Sequence, residues 1–370
     1  MIKILLVGPY PPPHGGVSVH VAGALDHLRR AGIPCRVLNL NRSAPESERY
    51  IRVSNVRDLA AVLLRHARAG WTTHVNTNGH NLKSWLVALL CGVAGRFGAG
   101  SLLTLHSGMA PAYLLGGRVW RRSLAWSACM FYSRIICVNR EIEETIASLG
   151  IARERLAVIS AFLPPAPQKL VAPDALQPWI RNHTPLLSTA LFYRPEYGFE
   201  LLMKAVAQLR LRYPNLGCLV MGSGERETEA RDLVRKTGLA GNVLLAGDVA
   251  HENCLTLISL SDIFVRPTLE DGDSISVREA IALGVPVVAS DVGARPPEAL
   301  LFKAGNTEDL VAKIESCLGM AQRGRNQTES PGPYVDRLLE MYTAAVTREN
   351  GYGYERRTYA RIFRQMTNDK

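Results

Sequence analysis

The sequence lacks the paired cysteines that mark zinc sites and disulfide-rich domains. Its seven cysteines are spread along 370 residues, and none of them forms a C-x-x-C pair. Common zinc sites use such pairs, and small secreted domains need a denser cysteine framework. We therefore expect free thiols in a reducing compartment and no metal site.

Long hydrophobic runs are also missing. The longest nearly uncharged apolar run, Ser84–Gly95, is too short to span a bilayer. The apolar start, Ile2–Val7, is too short for a signal peptide and leads directly into Gly-Pro. These features predict a cytoplasmic protein without a membrane-spanning helix.

Acidic residues are scarce in the first half of the chain. Residues 1–165 contain 19 Lys and Arg against 8 Asp and Glu, a net charge of +11. The rest of the chain contains 24 against 25, a net charge of −1. Because the whole excess of positive charge lies in the first half, we expect that half to bind an anionic partner.

The composition and length predict a folded protein of about two domains. Of the 370 residues, 47% are hydrophobic and 21% are charged, which is enough to build substantial cores. We predict a first domain over 1–163, a proline-rich linker over 164–180, a second domain over 181–332 and a helical segment over 333–370. The last segment is expected to cross back to the first domain.

Buried strands alternate with helices in both predicted domains, which indicates doubly wound α/β folds. The first domain opens with strand Lys3–Val7, a glycine-rich turn at Gly15 and Gly16, and helix Val17–Arg30. Its later strands end in polar loops that contain Asn78, His80 and His106. Further strands are predicted at 36–40, 135–138, 156–159, 186–191, 217–221, 243–245, 263–265 and 285–289. Helices are predicted at 119–134, 199–211, 226–236, 251–260, 276–283 and 334–346, and a further helix is predicted to follow Thr307.

The stretch Asp271–Asp291, DGDSISVREAIALGVPVVASD, combines an acidic loop, a short helix and a buried strand. Residues Gly272–Ser276 lie at the start of the helix, where free backbone N–H groups and the helix dipole favour a phosphate. Asp271 and Glu279 flank this anion site. Carboxylates beside an anion site suit a ligand that carries both phosphates and hydroxyls, such as a nucleotide sugar. An ordinary βαβ loop with an acidic helix cap is the alternative.

This stretch resembles the donor-site signature E-G-F-G-x-x-x-x-E-A of family 4 glycosyltransferases of the GT-B fold. Glu279 matches the second glutamate, and Asp271 stands as a shorter replacement at the first. The resemblance implies two Rossmann-like domains that face a central cleft. It also implies a retaining, metal-independent transferase that uses a nucleotide-diphosphate sugar as its donor and no further cofactor. Glu279 would then bind the ribose, Asp271 the donor sugar, and the amides of Gly272, Asp273, Ser274, Ile275 and Ser276 the diphosphate.

Other segments resemble the same family at the expected places. His106 ends a strand in a T-x-H pattern, which the family places beside the donor sugar. The turn residues Gly222, Ser223, Gly224 and Val249 resemble the donor-binding turns. The glycine-rich loop with Gly15 and Gly16, together with Asn78 and His80, is expected on the acceptor side.

One part of the family pattern is broken. Before the first helix of the second domain, the family carries R-x-x-x-x-K-G, and both cations contact the donor diphosphate. Phe192 and Tyr197 occupy these positions here. Arg194, Arg266 and Arg278 are candidate replacements, of which Arg266 is preferred. A binding protein that has lost activity is the alternative.

The sequence does not decide which anionic partner the basic first half binds. Helix 119–134 carries Trp120 and Trp126 beside basic residues, which suits either an anionic membrane and a lipid-linked glycan acceptor or a packed helix with a solvated face. Nucleotide-sugar epimerisation and a non-enzymatic adaptor are the other functions considered. No nucleic-acid-binding module is recognisable, so nucleic acid is not an expected partner.

Overall fold

The computed structural model of the chain describes residues 2–162, 173–321 and 340–342. Much of the predicted linker 164–180 and most of the predicted terminal segment 333–370 lie outside these residues. All seven cysteines lie within them, and each is a free thiol. No helix in the described part of the chain is both long enough and apolar enough to cross a membrane.

The first domain is built on a parallel sheet, to which the residues up to 162 contribute seven strands. In chain order these are β1 (Ile4–Gly8), β2 (Cys35–Asn39), β3 (Ile51–Arg52), β4 (Thr72–Thr77), β5 (Ser101–Leu105), β6 (Arg134–Cys137) and β7 (Leu156–Val158). Their spatial order is β3-β2-β1-β4-β5-β6-β7, so the chain winds outward in both directions from β1 and β4. The helices are α1 (Gly16–Arg30), α2 (Val56–Arg68), α3 (Leu82–Gly95), α4 (Met109–Leu115), α5 (Val119–Met130) and α6 (Arg140–Ser148).

The second domain repeats this plan, with six parallel strands among residues 173–321. They are β8 (Leu186–Ala190), β9 (Gly217–Met221), β10 (Val243–Gly247), β11 (Ile263–Arg266), β12 (Val287–Ser290) and β13 (Leu300–Phe302), in the spatial order β10-β9-β8-β11-β12-β13. The helices are α7 (Gln177–Arg181), α8 (Phe199–Leu209), α9 (Glu227–Lys236), α10 (His251–Ser259), α11 (Ile275–Ala282) and α12 (Thr307–Ala321). The two doubly wound domains confirm the predicted fold class.

Helices cover both faces of each sheet, which is why most strands are rich in apolar residues and most strand residues are buried. Along β1, the side chains of Leu5 and Val7 join the core on one face, while Ile4 and Leu6 join the core on the other. The second sheet has the same two-sided burial. Because all strands within each sheet are parallel, their carboxyl ends share one edge, where ligands of such sheets bind.

Several predicted boundaries were wrong by a few residues, for identifiable reasons. The strand predicted over 285–289 begins at Val287, because the Val285 N–H donates to the Ala280 carbonyl to close α11. Pro286 then has no N–H to give to the sheet. The helix predicted over 119–134 ends at Met130, since Arg134 already belongs to β6. Helices α2, α3, α4, α6 and α7 and strands β3 and β13 are absent from the predicted elements.

Residues 340–342 are helical and contact the first domain. Tyr342 is buried, and its hydroxyl lies 2.6 Å from Nδ1 of His74 in β4. A segment of the chain that follows the second domain therefore packs into the core of the first. This is the side on which the resemblance places the terminal segment.

Candidate active site

A cleft of about 460 Å³ separates the two domains at the carboxyl ends of their strands. The first domain lines it with the loop after β1, the residues that follow β4 and the residues that follow β5. The second domain lines it with the residues after β8, β9, β10 and β11 and with the start of α11. Of the predicted site residues, the cleft brings together Gly15, Gly16, Asn78, His80, His106, Arg194, Gly222, Val249, Arg266, Asp271, Gly272, Asp273, Ser274, Ile275, Ser276 and Glu279.

The two domains touch closely at the loop that precedes α11. A Cβ atom added to Gly108 would lie 1.8 Å from the backbone oxygen of Asp271, and one added to Gly272 would lie 2.2 Å from that of His106. The Asn139 amide donates to the Gly272 carbonyl at 3.1 Å. The Ala161 N–H donates to Asp273 at 3.2 Å. These contacts fix the loop of the second domain against the first.

The start of α11 forms an anion-binding geometry on the cleft wall. The Ser274 hydroxyl accepts a hydrogen bond from the Val277 N–H, and the first turn contains no acidic side chain. Asp273, just before the helix, is buried and forms an ion pair with Arg278 at 2.7 Å. The free N–H groups at the helix start therefore face the cleft without a competing charge in the first turn.

Glu279 lies one turn further along α11, and its side chain is almost fully buried. One carboxylate oxygen lies 2.6 Å from Nε2 of His251, the first residue of α10. Burial lowers the pKa of His251, but the hydrogen bond and charge of Glu279 outweigh it and raise the pKa overall. Because His251 engages one oxygen of the carboxylate, the other can accept hydroxyl groups of a ligand in the cleft.

Asp271 has a different environment. Its carboxylate contacts two arginines, Arg266 at the end of β11 and Arg295 after β12, each at 3.0 Å. Burial raises the pKa of Asp271, but the two guanidinium groups lower it below its ordinary value. Asp271 is therefore a charged carboxylate that is enclosed by cations at the cleft wall.

Histidines line the first-domain side of the cleft. Nε2 of His106 lies 3.1 Å from the side-chain oxygen of Asn76, and its ring lies 5.0 Å from that of His20. Burial holds the pKa of His106 well below its ordinary value, so this ring is neutral at pH 7. His80 bonds to the Ser107 hydroxyl at 2.8 Å, and burial lowers its pKa as well. Both rings therefore act as hydrogen-bonding groups and not as cations near neutral pH.

Two family models match this chain, one in each domain. The model of Glycosyltransferase Family 4 matches residues 14–165, and that of Glycosyl transferases group 1 matches residues 184–320. The chain belongs to the family 4 glycosyltransferases. Its two domains and central cleft are those of the GT-B fold.

Curated relatives are similar to the chain at low identity. A phosphatidylinositol N-acetylglucosaminyltransferase subunit of Arabidopsis thaliana is 23% identical over 213 residues, covering 56% of this chain and 45% of that protein. The lipopolysaccharide core biosynthesis mannosyltransferase LpsB of Rhizobium meliloti is 35% identical over 106 residues, covering 27% and 30%. The chain thus aligns with less than half the length of these relatives.

Two solved structures cover nearly the whole fold. Sucrose-phosphate synthase of Thermosynechococcus elongatus superposes with a TM-score of 0.70 at 18% identity, over 100% of both chains. HepE of Anabaena, in complex with UDP and glucose, superposes with a TM-score of 0.68 at 16% identity, over 93% of this chain and 100% of HepE. At these identities the superpositions establish the shared fold.

This glycosyltransferase carries two aromatic rings where the family has its diphosphate-binding cations. Phe192 and Tyr197 meet edge to face with ring centroids 5.7 Å apart, and both line the cleft. The Arg266 guanidinium lies over the Tyr197 ring at 5.2 Å, and that of Arg194 lies 5.9 Å from the Phe192 ring. The aromatic pair therefore lies between two of the arginines named as replacements. The third, Arg278, is paired with Asp273.

The predicted turn Gly222–Gly224 enters the site only in part. Gly222 lines the cleft with φ +135°, and an added Cβ would lie 1.8 Å from the Leu191 carbonyl oxygen. Ser223 and Gly224 are not among the lining residues. The Ser223 carbonyl instead accepts a hydrogen bond from the Tyr193 N–H at 3.2 Å, and Gly224 packs against the Tyr193 backbone. These two residues support the turn rather than face the cleft.

Sequence reasoning missed His251, Asn139 and Arg295. Each follows a strand of its sheet closely, the position from which loops reach the cleft, and this signal was available for all three. Within residues 2–162, 173–321 and 340–342, no three His, Cys, Asp or Glu side chains lie close enough together to hold a metal ion.

Proposed function

We propose that this chain transfers a sugar from a nucleotide-diphosphate sugar to a hydroxyl group of a lipid-linked glycan, with retention of configuration. The observation that carries this proposal is the position of the buried Glu279 carboxylate, one turn from the open start of α11, in the cleft between the domains. A carboxylate that accepts ribose hydroxyls, next to amides that accept phosphates, matches the polar groups of such a donor.

The reaction breaks the bond between the anomeric carbon and the diphosphate oxygen and forms a bond from that carbon to the acceptor oxygen. Negative charge develops on the departing diphosphate, where helix-terminal N–H groups and arginine can stabilise it. The acceptor hydroxyl loses its proton to the departing diphosphate. The reaction as proposed uses no metal ion, and His106 lies on the first-domain side as a neutral hydrogen-bonding group.

Thermal unfolding with a donor panel tests the donor assignment. The relatives include mannosyltransferases named for GDP-mannose, and the HepE structure contains UDP, so the panel needs both bases. At a hundredfold excess over Kd, a ligand that binds the folded protein alone stabilises it by about 2.7 kcal/mol. We expect one family of nucleotide sugars to raise Tm by several degrees. If none does, the proposal fails, and an altered sugar formed without acceptor would favour epimerisation.

The first domain carries an apolar, basic face that suits an anionic membrane. Helix α3 and the residue pair after it expose Leu82, Leu86, Val93 and Phe97 along one side, at helical spacing. Helix α5 packs beside α3 and exposes Val119, Trp120, Trp126 and Met130. No Asp or Glu occurs between Asp58 and Glu141, a stretch that also holds the exposed Arg96, Arg118 and Arg122. Apolar side chains with basic neighbours settle at a headgroup interface.

Replacing Trp120 and Trp126 together by alanine should lower binding to anionic vesicles. Both rings are nearly half exposed, so their removal takes apolar area from the membrane without opening a core. Sedimentation with phosphatidylserine-containing vesicles at low salt measures the effect, and wild-type binding should fall as salt rises. Leu211→Ala, at an exposed leucine of the second domain, is the matched control. Wild-type protein that ignores anionic vesicles at low salt would rule the membrane out.

A further inference from the structure

The Asp271 carboxylate has little capacity left for a ligand. Its Oδ2 atom accepts hydrogen bonds from Arg266 and Arg295 at 3.0 Å and from the Thr268 hydroxyl at 3.2 Å. Its Oδ1 atom accepts the Gly272 N–H at 3.0 Å. A carboxylate oxygen has about two lone pairs, so Oδ2 is fully used within the protein. Oδ1 keeps one lone pair, but most of the carboxylate is engaged within the protein, which is a poor arrangement for the sugar-binding role that the family resemblance implies.

Arg295 is enclosed by the protein and does not line the cleft. Its side chain is 3% exposed. It donates to the Ser290 carbonyl at 3.0 Å and to the Thr268 hydroxyl at 3.1 Å, in addition to Asp271. A buried guanidinium is costly unless its donors are satisfied, and these partners satisfy it. Arg295 therefore holds charge in place without touching a ligand in the cleft.

Arg266 is the member of this group that reaches the cleft. It lines the cleft wall, while its Nε donates to Asp271 and its Nη1 donates to the Ala190 carbonyl at 2.7 Å. Ala190 ends β8, Arg266 ends β11, and Ser290, which accepts from Arg295, ends β12, while Thr268 and Asp271 lie in the loop after β11. The three strands β8, β11 and β12 are neighbours in the sheet, so the rigid edge of the sheet holds the two arginines in place.

Two guanidinium groups and one carboxylate give this arginine cluster (Arg266, Asp271 and Arg295) a net charge of +1. It lies directly before the phosphate-binding turn of α11, on the domain that lacks cations at Phe192 and Tyr197. Charge held by a preorganised network needs no reorganisation when the leaving group becomes charged. The cluster thus places one fixed positive charge on the domain in which this chain lacks the two cations of the family pattern.

We infer that Asp271 is a positioning residue, which holds Arg266 against the cleft, and that the arginine cluster replaces the missing family cations toward the donor diphosphate. This inference rests on the proposed function. It gives Arg295, which does not line the cleft, an indirect role in phosphate binding. It also assigns Asp271 to binding of the diphosphate and not of the sugar.

Affinity for the free nucleoside diphosphate separates this role from contact with the sugar. Calorimetry should compare UDP, or GDP, with the matching nucleotide sugar on wild type, Arg295→Met and Asp271→Glu. Methionine removes the enclosed charge, and glutamate keeps the charge but displaces the arginines. For both variants we expect Kd to rise tenfold or more for the diphosphate and by the same factor for the nucleotide sugar. Arg212→Met, at an exposed arginine paired with Glu315 on the second domain, should leave both Kd values within twofold.

The opposite pattern would overturn the inference. If Asp271→Glu changes affinity for the nucleotide sugar and leaves that for the free diphosphate intact, Asp271 contacts the sugar. If Arg295→Met binds the free diphosphate as wild type does, the enclosed charge has no part in binding. Circular dichroism checks the fold, and Arg295→Gln, which removes the charge but can still donate hydrogen bonds to the partners of Arg295, replaces the methionine variant if that does not fold. Failure of wild type to bind any nucleotide would instead refute the proposed function.

Discussion

Glu279→Gln should weaken donor binding by about ten- to a hundredfold while the protein keeps its fold. A hydrogen bond to a charged acceptor contributes about 1.5–3 kcal/mol, and each 1.4 kcal/mol is about a factor of ten in affinity. Glutamine keeps the shape of the side chain and an oxygen toward His251, so the loss falls mainly on the ligand. Calorimetry with the nucleotide sugar selected by the thermal panel measures it, and circular dichroism checks the fold.

The control for this prediction is Glu252→Gln. Glu252 is exposed in the first turn of α10, directly after His251, and it does not line the cleft. The substitution therefore removes one negative charge from the same region without changing a residue of the site. Its affinity should stay within twofold of wild type. Unchanged binding of every nucleotide sugar by Glu279→Gln would show that Glu279 lies outside the donor site.

The fold was predictable because the buried strands are locally distinctive. Segments such as Ile4–Gly8 and Gly217–Met221 are short, apolar on both sides and bounded by turns, and they form the predicted parallel strands. Strand β4 is harder to recognise, since Thr72–Thr77 is fully buried although most of its residues are polar. Its His74 is satisfied by Thr104 and Tyr342, which are distant in sequence. Pairings of this kind exist only in three dimensions.

The candidate site also has a part that could be predicted from the sequence and a part that could not. Glu279 and the start of α11 are encoded in one continuous stretch, so both could be placed from sequence. The partners that decide what Asp271 can do come from β11 and from the loop after β12, and Arg295 lies 24 residues further along the chain. A motif shows which residue stands at a position, but not which neighbours occupy its lone pairs. The role of Asp271 therefore required the structure.

The contact between Gly108 and the loop before α11 leads to the second large expected effect. Gly108 has φ −61° and ψ −17°, a conformation that alanine adopts without strain. The obstacle to a side chain here is the Asp271 backbone oxygen, 1.8 Å from the added Cβ. Each domain of the Gly108→Ala variant should therefore fold normally. The added methyl group should push the two domains apart at the cleft.

Turnover of Gly108→Ala should fall by at least tenfold, whereas its affinity for the nucleoside diphosphate should change little. The proposed diphosphate-binding groups all belong to the second domain, but the acceptor must be held within bonding distance of the donor. A displacement of about 1 Å can cost roughly a hundredfold in rate. Gly241→Ala, at a glycine with open space around it, is the control and should behave as wild type. Wild-type turnover by Gly108→Ala would show that the reaction tolerates a wider cleft, and lost diphosphate binding would show that Gly108 shapes the donor site itself.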